Sequence, residues 1–347
     1  MRAVVLGAGV AGLACAVELA ERGVAVEVLE RGERLGTGCC SWYAGGMLAP
    51  WCERESAEPL VATLGTASLA WWAGKFAGTV LRGSLVVAHG RDTGELRQFA
   101  RRTQRYQWLD AAGIAALEPD LAGRFSQALY FPEEGHLDPR AALTALAARL
   151  ATLGAPIRFG ADAHAGQEKL LAAQAAGGTV IDCRGLEARD VLADLRGVKG
   201  EMLLVRLPDI SLSRPVRVLH PRVPSYIVPR GDGHYMIGAT MIESDQPTRI
   251  TARSMLELLG AAYALHPAFG EAEIVEIGTG VRPAFPDNLP RVSLIGGTVY
   301  VNGLYRHGFL LAPALARQAA ECVLAASLAE NESLEVMHAD SSQRCLA

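Results

Sequence analysis

Six residues near the start of the chain have the types and spacing needed to hold the phosphates of a dinucleotide. Gly7-Ala8-Gly9-Val10-Ala11-Gly12 fits the pattern G-x-G-x-x-G. Gly7 would permit a tight turn, Gly9 would let the backbone approach a pyrophosphate, and Gly12 would let a helix press against a strand. Backbone N–H groups at the start of that helix would then face the phosphates. The pattern alone is weak evidence, because glycine-rich turns that bind nothing are common.

The segments on either side of the glycines support the dinucleotide interpretation. Residues 2–6 are an apolar run typical of a buried parallel strand, residues 11–22 an Ala- and Leu-rich helix closed by a glycine, and residues 24–29 a second strand. Glu30 follows that strand, eighteen residues after Gly12. A carboxylate there can accept hydrogen bonds from both ribose hydroxyls and disfavours a 2′-phosphate. These residues predict a βαβ unit for FAD or NAD, and not for NADP.

The rest of the chain continues an α/β pattern. A helix rich in Ala and Trp is predicted at 60–76, and another begins after the N-cap Asp138 with Pro139 at its first position. The apolar run 179–183 is predicted to return to the first sheet as a strand. Residues 309–326 are predicted to form a long, Ala-rich final helix.

Two regions have the short, turn-separated strands that are typical of an antiparallel sheet. In the first, residues 85–99 are predicted to form two strands joined at Asp92-Thr93-Gly94. In the second region, strands are predicted at 202–206, 225–229 and 234–237. After this region, residues 281–291 are Pro-rich and are predicted to be an irregular loop, and a further strand is predicted at 298–301.

This order of elements predicts an α/β fold in which a Rossmann-type nucleotide-binding domain is discontinuous in sequence and an antiparallel-sheet domain is inserted into it. The nucleotide-binding domain is assigned 1–80, 137–198 and 279–330, the inserted domain 81–136 and 199–278, and a polar tail 331–347.

The composition argues against several classes of protein. A net charge of −4 without runs of Lys and Arg argues against a nucleic-acid partner. No uncharged apolar stretch reaches ~18 residues, so no membrane span is predicted, and the first strand begins too close to Met1 for a signal peptide. The seven cysteines include no C-x-x-C pair. This argues against a zinc site or a disulfide framework and favours a reducing, cytoplasmic location.

Three blocks of sequence carry a resemblance to a known family. Ser41-Trp42-Tyr43-Ala44-Gly45-Gly46-Met47-Leu48-Ala49-Pro50 resembles the segment that lies along the flavin in the D-amino-acid oxidase superfamily, and is most similar to glycine oxidases of thiamine biosynthesis. Two further blocks resemble segments of the same family and follow in the family's order and spacing. The second block is Tyr226-Ile227-Val228-Pro229-Arg230 with Ile237-Gly238-Ala239-Thr240-Met241. The third block is Gly280-Val281-Arg282-Pro283 with Gly303-Leu304-Tyr305-Arg306-His307-Gly308-Phe309-Leu310-Leu311-Ala312-Pro313. The blocks span nearly the whole chain and imply a D-amino-acid oxidase-like fold.

The resemblance implies that FAD, bound without a covalent link, is the ligand of the glycine turn. No cysteine lies between Cys183 and Cys322, the region where related sarcosine oxidases carry the cysteine that bonds to the flavin. The start of the last helix would stabilise negative charge on the reduced flavin. The residues that the resemblance assigns to the cofactor are Gly7, Gly9, Val10, Ala11, Gly12, Glu30, Arg31, Cys40, Ser41, Gly45, Gly46, Met47, Leu304, Tyr305, Arg306, His307, Gly308, Phe309 and Leu310.

The resemblance also implies a pocket for a small substrate. Arg282 would bind a substrate carboxylate, Tyr226 would donate a hydrogen bond to it, and Arg306 would lie nearby. A planar guanidinium suits this role because it can hold a carboxylate through two parallel N–H···O bonds. Met47 and Met241 would form a small apolar wall. From the residues alone, a solvated loop arginine, a core tyrosine and core methionines are the alternatives.

The activity that the resemblance implies is the oxidative deamination of glycine or a similar small amino acid or amine. Hydride would pass from the substrate α-carbon to flavin N5, with no side-chain base if the amine binds uncharged and with no metal. The products would be a 2-oxo acid, ammonia and, with dioxygen as acceptor, hydrogen peroxide. A role in thiamine biosynthesis and a homo-oligomer rest on the same resemblance. Three alternatives stay open. The first is an oxidase that acts on sarcosine, on a D-amino acid or on an N-substituted glycine. The second is a dehydrogenase with another electron acceptor, and the third is a flavin-binding protein without turnover.

Overall fold

A six-stranded sheet is built around the strand with which the chain begins, Arg2–Leu6. The structure, a computed structural model, describes residues 1–161, 178–220 and 224–343, the stretch 326–343 by its backbone alone. Within these residues the first strand pairs in parallel with Ala25–Leu29 on one side and Thr179–Asp182 on the other. The order across the sheet is Arg291–Ile295, Thr298–Asn302, Thr179–Asp182, Arg2–Leu6, Ala25–Leu29 and Ile157–Arg158. The predicted βαβ unit and the return of the strand near residue 180 are confirmed.

Helices cover this sheet and supply its core. Val10–Glu21 connects the first two strands, and it packs against Gly308–Gln343 and Pro139–Thr152. The last helix also packs against Pro59–Lys75. The helix at 139 begins as predicted, since Asp138 Oδ1 accepts hydrogen bonds from the backbone at positions 140 and 141, at 2.7 and 3.0 Å.

A second, nine-stranded sheet lies outside this layer. Its longest strands, Arg196–Arg206 and Glu273–Ala284, pair antiparallel along their whole length, with one register shift. Most of its other pairs are also antiparallel, as predicted, although Val216–Leu219 runs parallel to Ser84–Ala88. The remaining strands are Ile242–Glu243, His234–Gly238, Ser225–Gly231, Gln127–Phe131 and Gln107–Asp110. Its helices are Thr93–Arg102, Ala111–Leu117 and Ala252–Leu265.

Short elements join the two layers. Met47–Leu48 pairs antiparallel with Gly135–His136, and the helix Pro50–Glu53 follows directly. Two strands of the second sheet, Arg196–Arg206 and Glu273–Ala284, cross the assigned boundaries at 198/199 and 278/279. The domain boundaries themselves stay a prediction.

Three sequence predictions about local structure are wrong. The predicted hairpin at 85–99 is one strand, Ser84–Ala88, followed by the helix Thr93–Arg102. The predicted loop that carries Arg282 is part of the strand Glu273–Ala284. The last helix does not stop near residue 326 but continues to position 343.

The start of the last helix is apolar enough to meet a length and composition criterion for a membrane span. The window Gly308–Ala325 has a mean hydropathy of 1.2, and 56% of it is buried inside the protein. It contains Arg317 and Glu321 and packs on two other helices. These features are typical of a core helix.

Candidate active site

The glycine turn is fixed by contacts that leave no room for larger residues. A Cβ atom on Gly12 would lie 1.9 Å from the carbonyl oxygen of Gly7. A Cβ on Gly7, whose φ is +93°, would lie 2.8 Å from the carbonyl oxygen of Cys183. The first helix therefore starts directly against the two central strands, which is the close packing that the glycine pattern predicts.

The start of this helix is open to a ligand. Its N-cap residue, Gly9, has no side chain to accept a hydrogen bond from the first turn. Val10 N donates to Ser41 Oγ at 3.2 Å. Because free N–H groups and the helix dipole both attract anions, this end of Val10–Glu21 can hold phosphate oxygens.

Glu30 lies beside the glycine turn. Its Oε2 accepts a hydrogen bond from Ala8 N at 2.7 Å, and its Oε1 accepts one from Gly32 N at 2.7 Å. The carboxylate thus holds the turn to the segment that follows the second strand. It occupies the carboxyl end of that strand, the position at which an acid binds a ribose in this kind of unit.

The segment around residue 45 is held from behind by an arginine. Arg230 donates hydrogen bonds to the carbonyl oxygens of Ala44, Gly45 and Leu137, at 3.0, 2.9 and 3.1 Å. Gly46 has a φ of +70°, and a Cβ on it would lie 2.2 Å from the Leu137 oxygen. The backbone of this predicted flavin segment is therefore positioned by residues outside it.

The start of the last helix is anchored in a similar way. Trp72 Nε1 donates to the carbonyl oxygen of Phe309 at 2.7 Å. Tyr305 N donates to the carbonyl oxygen of Pro283 at 3.0 Å. The second bond ties the turn before the helix to the strand that carries Arg282.

A cavity opens between these segments and brings together most of the predicted residues. The predicted residues that line it are Val10, Cys40, Ser41, Gly45, Gly46, Met47, Tyr226, Arg282, Tyr305, Arg306, His307, Gly308, Phe309 and Leu310. Five residues line it without having been predicted: Tyr43, Ala44, Glu53, Gly200 and Gly280.

The other predicted residues lie outside the cavity lining. Gly7, Gly9, Ala11, Gly12 and Glu30 form the glycine turn and its neighbouring acid. Arg31 forms an exposed ion pair with Glu187 at 3.0 Å. Leu304 is buried in the core. Met241 is 49% exposed, and its sulfur lies 3.5 Å from Tyr305 Oη. Of the two methionines predicted to form the apolar wall, Met47 lines the cavity and Met241 does not.

Arg282 enters the cavity from the strand Glu273–Ala284. Its Nη1 donates to the carbonyl oxygen of Thr240 at 3.1 Å, and among the described residues no acidic partner is found for it. Tyr226 also lines the cavity, and its ring packs on Gly45, where an added Cβ would lie 2.8 Å from it. Burial raises the pKa of Tyr226, so its hydroxyl stays protonated and can donate.

Sequence reasoning missed Glu53, a buried acid in the same cavity. Its Oε1 accepts a hydrogen bond from Arg217 Nη2 at 2.6 Å, and its Oε2 lies 2.9 Å from Arg306 Nη2 and 3.5 Å from His307 Nδ1. Burial opposes ionisation, but the positive charges of Arg306 and Arg217 hold the pKa of Glu53 far below its usual range. Burial, with the positive charges of Arg306, Arg217 and Arg282, lowers the pKa of His307 to about 4 despite the nearby Glu53, so the imidazole is neutral.

The residues present fit a flavin dinucleotide on geometry alone. An uncapped helix start, glycines that no side chain could replace and an acid at the end of the second strand suit the dinucleotide. The cavity beside the segment around residue 45 suits a planar ring and a small substrate. In the described part of the chain, no cluster of three or more His, Cys, Asp or Glu could hold a metal ion.

Fold and site together define an oxidoreductase with a discontinuous dinucleotide-binding domain and an inserted antiparallel-sheet domain. The chain belongs to the DAO family of FAD-dependent oxidoreductases, whose family model matches residues 2–322. FAD is accordingly its cofactor.

Similar proteins within this family are known. A protein of Rhizobium etli named as a thiamine biosynthesis oxidoreductase, ThiO, is 56% identical over 93% of this chain and 97% of its own length. A glycine oxidase of Geobacillus kaustophilus is 30% identical over 89% of each chain. The crystal structure of glycine oxidase from Geobacillus kaustophilus matches with a TM-score of 0.74 at 26% identity, covering 93% of this chain and 94% of that one.

Proposed function

We propose that this protein catalyses the FAD-dependent oxidative deamination of glycine, or of a similarly small amino acid or amine, to the 2-oxo acid. The observation that carries the proposal is the pairing of Arg282, which has no acidic partner among the described residues, with the protonated Tyr226 in one cavity. A cation that is not paired with an acid in the described part of the chain, beside a hydroxyl donor, suits a carboxylate.

The chain's own residues orient the substrate. The guanidinium of Arg282 would hold the carboxylate through two N–H···O bonds, and the hydroxyl of Tyr226 would donate a third. Met47 would limit the space beside the α-carbon, which favours a small substituent. A fixed carboxylate would restrict the α-carbon to one side of the cavity. Holding the reacting carbon in place in this way lowers the barrier to its oxidation.

Bound FAD supplies the acceptor for the two electrons and the hydrogen that leave the substrate carbon, and dioxygen or another acceptor regenerates it. The imidazole of His307 is neutral and adds no charge that would oppose a cationic product. No described side chain in the cavity needs to act as a base if the amine binds uncharged. The imino acid then reacts with water to give the 2-oxo acid and ammonia.

The relatives support the choice of substrate and a supply role in thiamine biosynthesis, because one is named a glycine oxidase and another a thiamine biosynthesis oxidoreductase. A cytoplasmic location and a homo-oligomer are also part of the proposal. The first is supported by the six cysteines of the described residues, which are free thiols.

A panel of amines tests the substrate assignment. The FAD-loaded protein is mixed in air with glycine, sarcosine, D-alanine or an N-substituted glycine, and hydrogen peroxide is measured. We expect the highest kcat/KM for glycine. A preference for another amine would reassign the substrate within the family, and reduction of the flavin by an amine without peroxide would indicate a dehydrogenase.

A further inference from the structure

Glu53 is a buried carboxylate that the proposed mechanism does not use. The residue is 7% exposed and lines the same cavity as Arg282 and Tyr226. It belongs to the helix Pro50–Glu53, directly after the strand that carries Met47. A buried carboxylate is costly unless it is paired, so its partners and its place in the cavity require a reason.

Arg306 is committed to this carboxylate. Its Nη2 lies 2.9 Å from Glu53 Oε2 and donates to Ser56 Oγ at 2.5 Å, while its Nη1 lies 3.7 Å from the sulfur of Met241. Its Nε is buried and has no hydrogen-bond partner in the part of the chain that the structure describes. Arg306 therefore has an unused donor, although its Nη2 lies 2.9 Å from an acid.

Arg217 is committed to the same acid, whereas Arg282 is not. Arg217 Nη2 donates to Glu53 Oε1 at 2.6 Å. The hydrogen bond that Arg282 makes is to a backbone carbonyl, that of Thr240. Of Arg217, Arg306 and Arg282, the last is thus the one whose charge lacks an acidic partner among the described residues.

We propose that Glu53 restricts the substrate to amines with a single carboxylate, because its two oxygens engage Arg306 and Arg217 and leave Arg282 as the guanidinium that binds the anion. The inference rests on the proposed function, in which Arg282 anchors the carboxylate. A second carboxylate on the same ligand would lie close to the negative charge of Glu53 and would compete with it for Arg306, whose Nη2 already lies 2.9 Å from Glu53 Oε2. Glu53 is then a specificity-determining residue.

Ligands without an amine test this idea without turnover. The FAD-loaded protein is titrated with acetate, malonate and succinate, and binding is followed by the change in the flavin absorbance bands. We expect wild-type protein to bind both dicarboxylates ~10-fold more weakly than acetate or worse. In Glu53→Gln we expect the dicarboxylates to gain ~10-fold or more relative to acetate, because the released Arg306 can hold the second carboxylate.

The control is another buried acid with an arginine partner. Glu118 accepts a hydrogen bond from Arg214 Nε at 2.7 Å and does not line the cavity. Glu118→Gln should leave the preference for acetate unchanged. If Glu53→Gln does not retain FAD, the wild-type titration decides, and dicarboxylates that bind as tightly as acetate would overturn the proposal.

The outcomes separate this inference from the proposed function. A ratio of dicarboxylate to acetate affinity that stays within about twofold of wild type in a folded, FAD-loaded Glu53→Gln overturns the role of Glu53 alone. Acetate binding that survives Arg282→Ala overturns the carboxylate site itself, and with it both proposals.

Discussion

The guanidinium of Arg282 occupies the place of a side chain on Gly200. A Cβ atom on Gly200 would lie 2.1 Å from Arg282 Nη2. Gly200 belongs to the strand Arg196–Arg206, which pairs with the strand that carries the arginine. The absence of a side chain on one strand therefore sets where the cation of the neighbouring strand can lie.

Gly200→Ala should move this guanidinium away from the substrate. The new methyl group cannot coexist with Nη2, and the arginine is the more mobile of the two groups. We expect the KM for glycine to rise ~10-fold or more, with FAD retained, because a charge-assisted hydrogen bond is worth ~1.5–3 kcal/mol. Steady-state kinetics and the flavin spectrum measure both. An unchanged KM in a folded variant would show that the position of Arg282 does not matter for binding.

Arg282→Ala removes the cation itself. We expect the KM for glycine to rise by ~100-fold or more, since the carboxylate would lose about 2–5 kcal/mol of paired hydrogen bonds. The matched control is Arg206→Ala, which removes an exposed arginine 3.9 Å from Glu273 on the same pair of strands. That variant should behave as wild type. An Arg282→Ala protein that keeps both FAD and its KM would contradict the substrate assignment.

Gly12→Ala should disrupt the cofactor site and the fold around it. Its Cβ would lie 1.9 Å from a backbone oxygen that has no freedom to move. We expect the free energy of unfolding to fall by ~1–3 kcal/mol and the protein to lose its bound FAD. Gly74→Ala is the control, because Gly74 lies in the helix Pro59–Lys75 with nothing within 4 Å of an added Cβ. It should gain about 0.5–1 kcal/mol. Thermal unfolding and FAD content distinguish the two, and equal behaviour would refute the packing argument.

The parts of the site that depend on local backbone are predictable from sequence. Glycines that must pack closely and the N-cap Asp138 have signatures within a few residues, and both are confirmed. Asp92-Thr93-Gly94 was misread as a hairpin turn, although Leu96, Phe99 and Ala100 are buried at helical spacing in Thr93–Arg102. Turn residues and helix starts share the same residue types, so the local signal was ambiguous.

The parts of the site that depend on long-range contacts are not predictable in this way. Arg282 precedes a proline, which favours a loop. Its strand is paired with Arg196–Arg206 on one side, and an edge strand tolerates a residue that lacks a backbone N–H. Glu53 contacts Arg217, which lies 164 residues further along the chain, and Arg306, which lies more than 250 residues further along. No spacing rule relates such residues, because only the tertiary fold brings them together.

Glu134 should make the stability of the protein depend on pH. Burial raises its pKa to about 7, although it accepts hydrogen bonds from Ser84 and from the N–H of Cys52. The folded protein therefore holds a proton that the unfolded chain releases near the ordinary glutamate pKa of 4.5, so this contribution is present at low pH and lost as pH rises toward 7.

Glu134→Gln isolates this effect from the buried histidines, whose lowered pKa values act in the opposite direction. The variant lacks the titration, so its stability relative to wild type should increase between pH 5 and pH 8 by about 1–3 kcal/mol. Denaturant unfolding at both pH values measures the difference. A difference that does not vary with pH would mean that Glu134 is ionised in the folded protein throughout.

Glycine oxidation in this cavity requires that a bound flavin take electrons from glycine. The absorbance spectrum of the FAD-loaded protein without oxygen, before and after glycine is added, measures this step directly. We expect a two-banded flavin spectrum that bleaches with glycine, and that does not bleach at the same concentration in Arg282→Ala. A flavin spectrum that glycine and other small amines leave unchanged would contradict it.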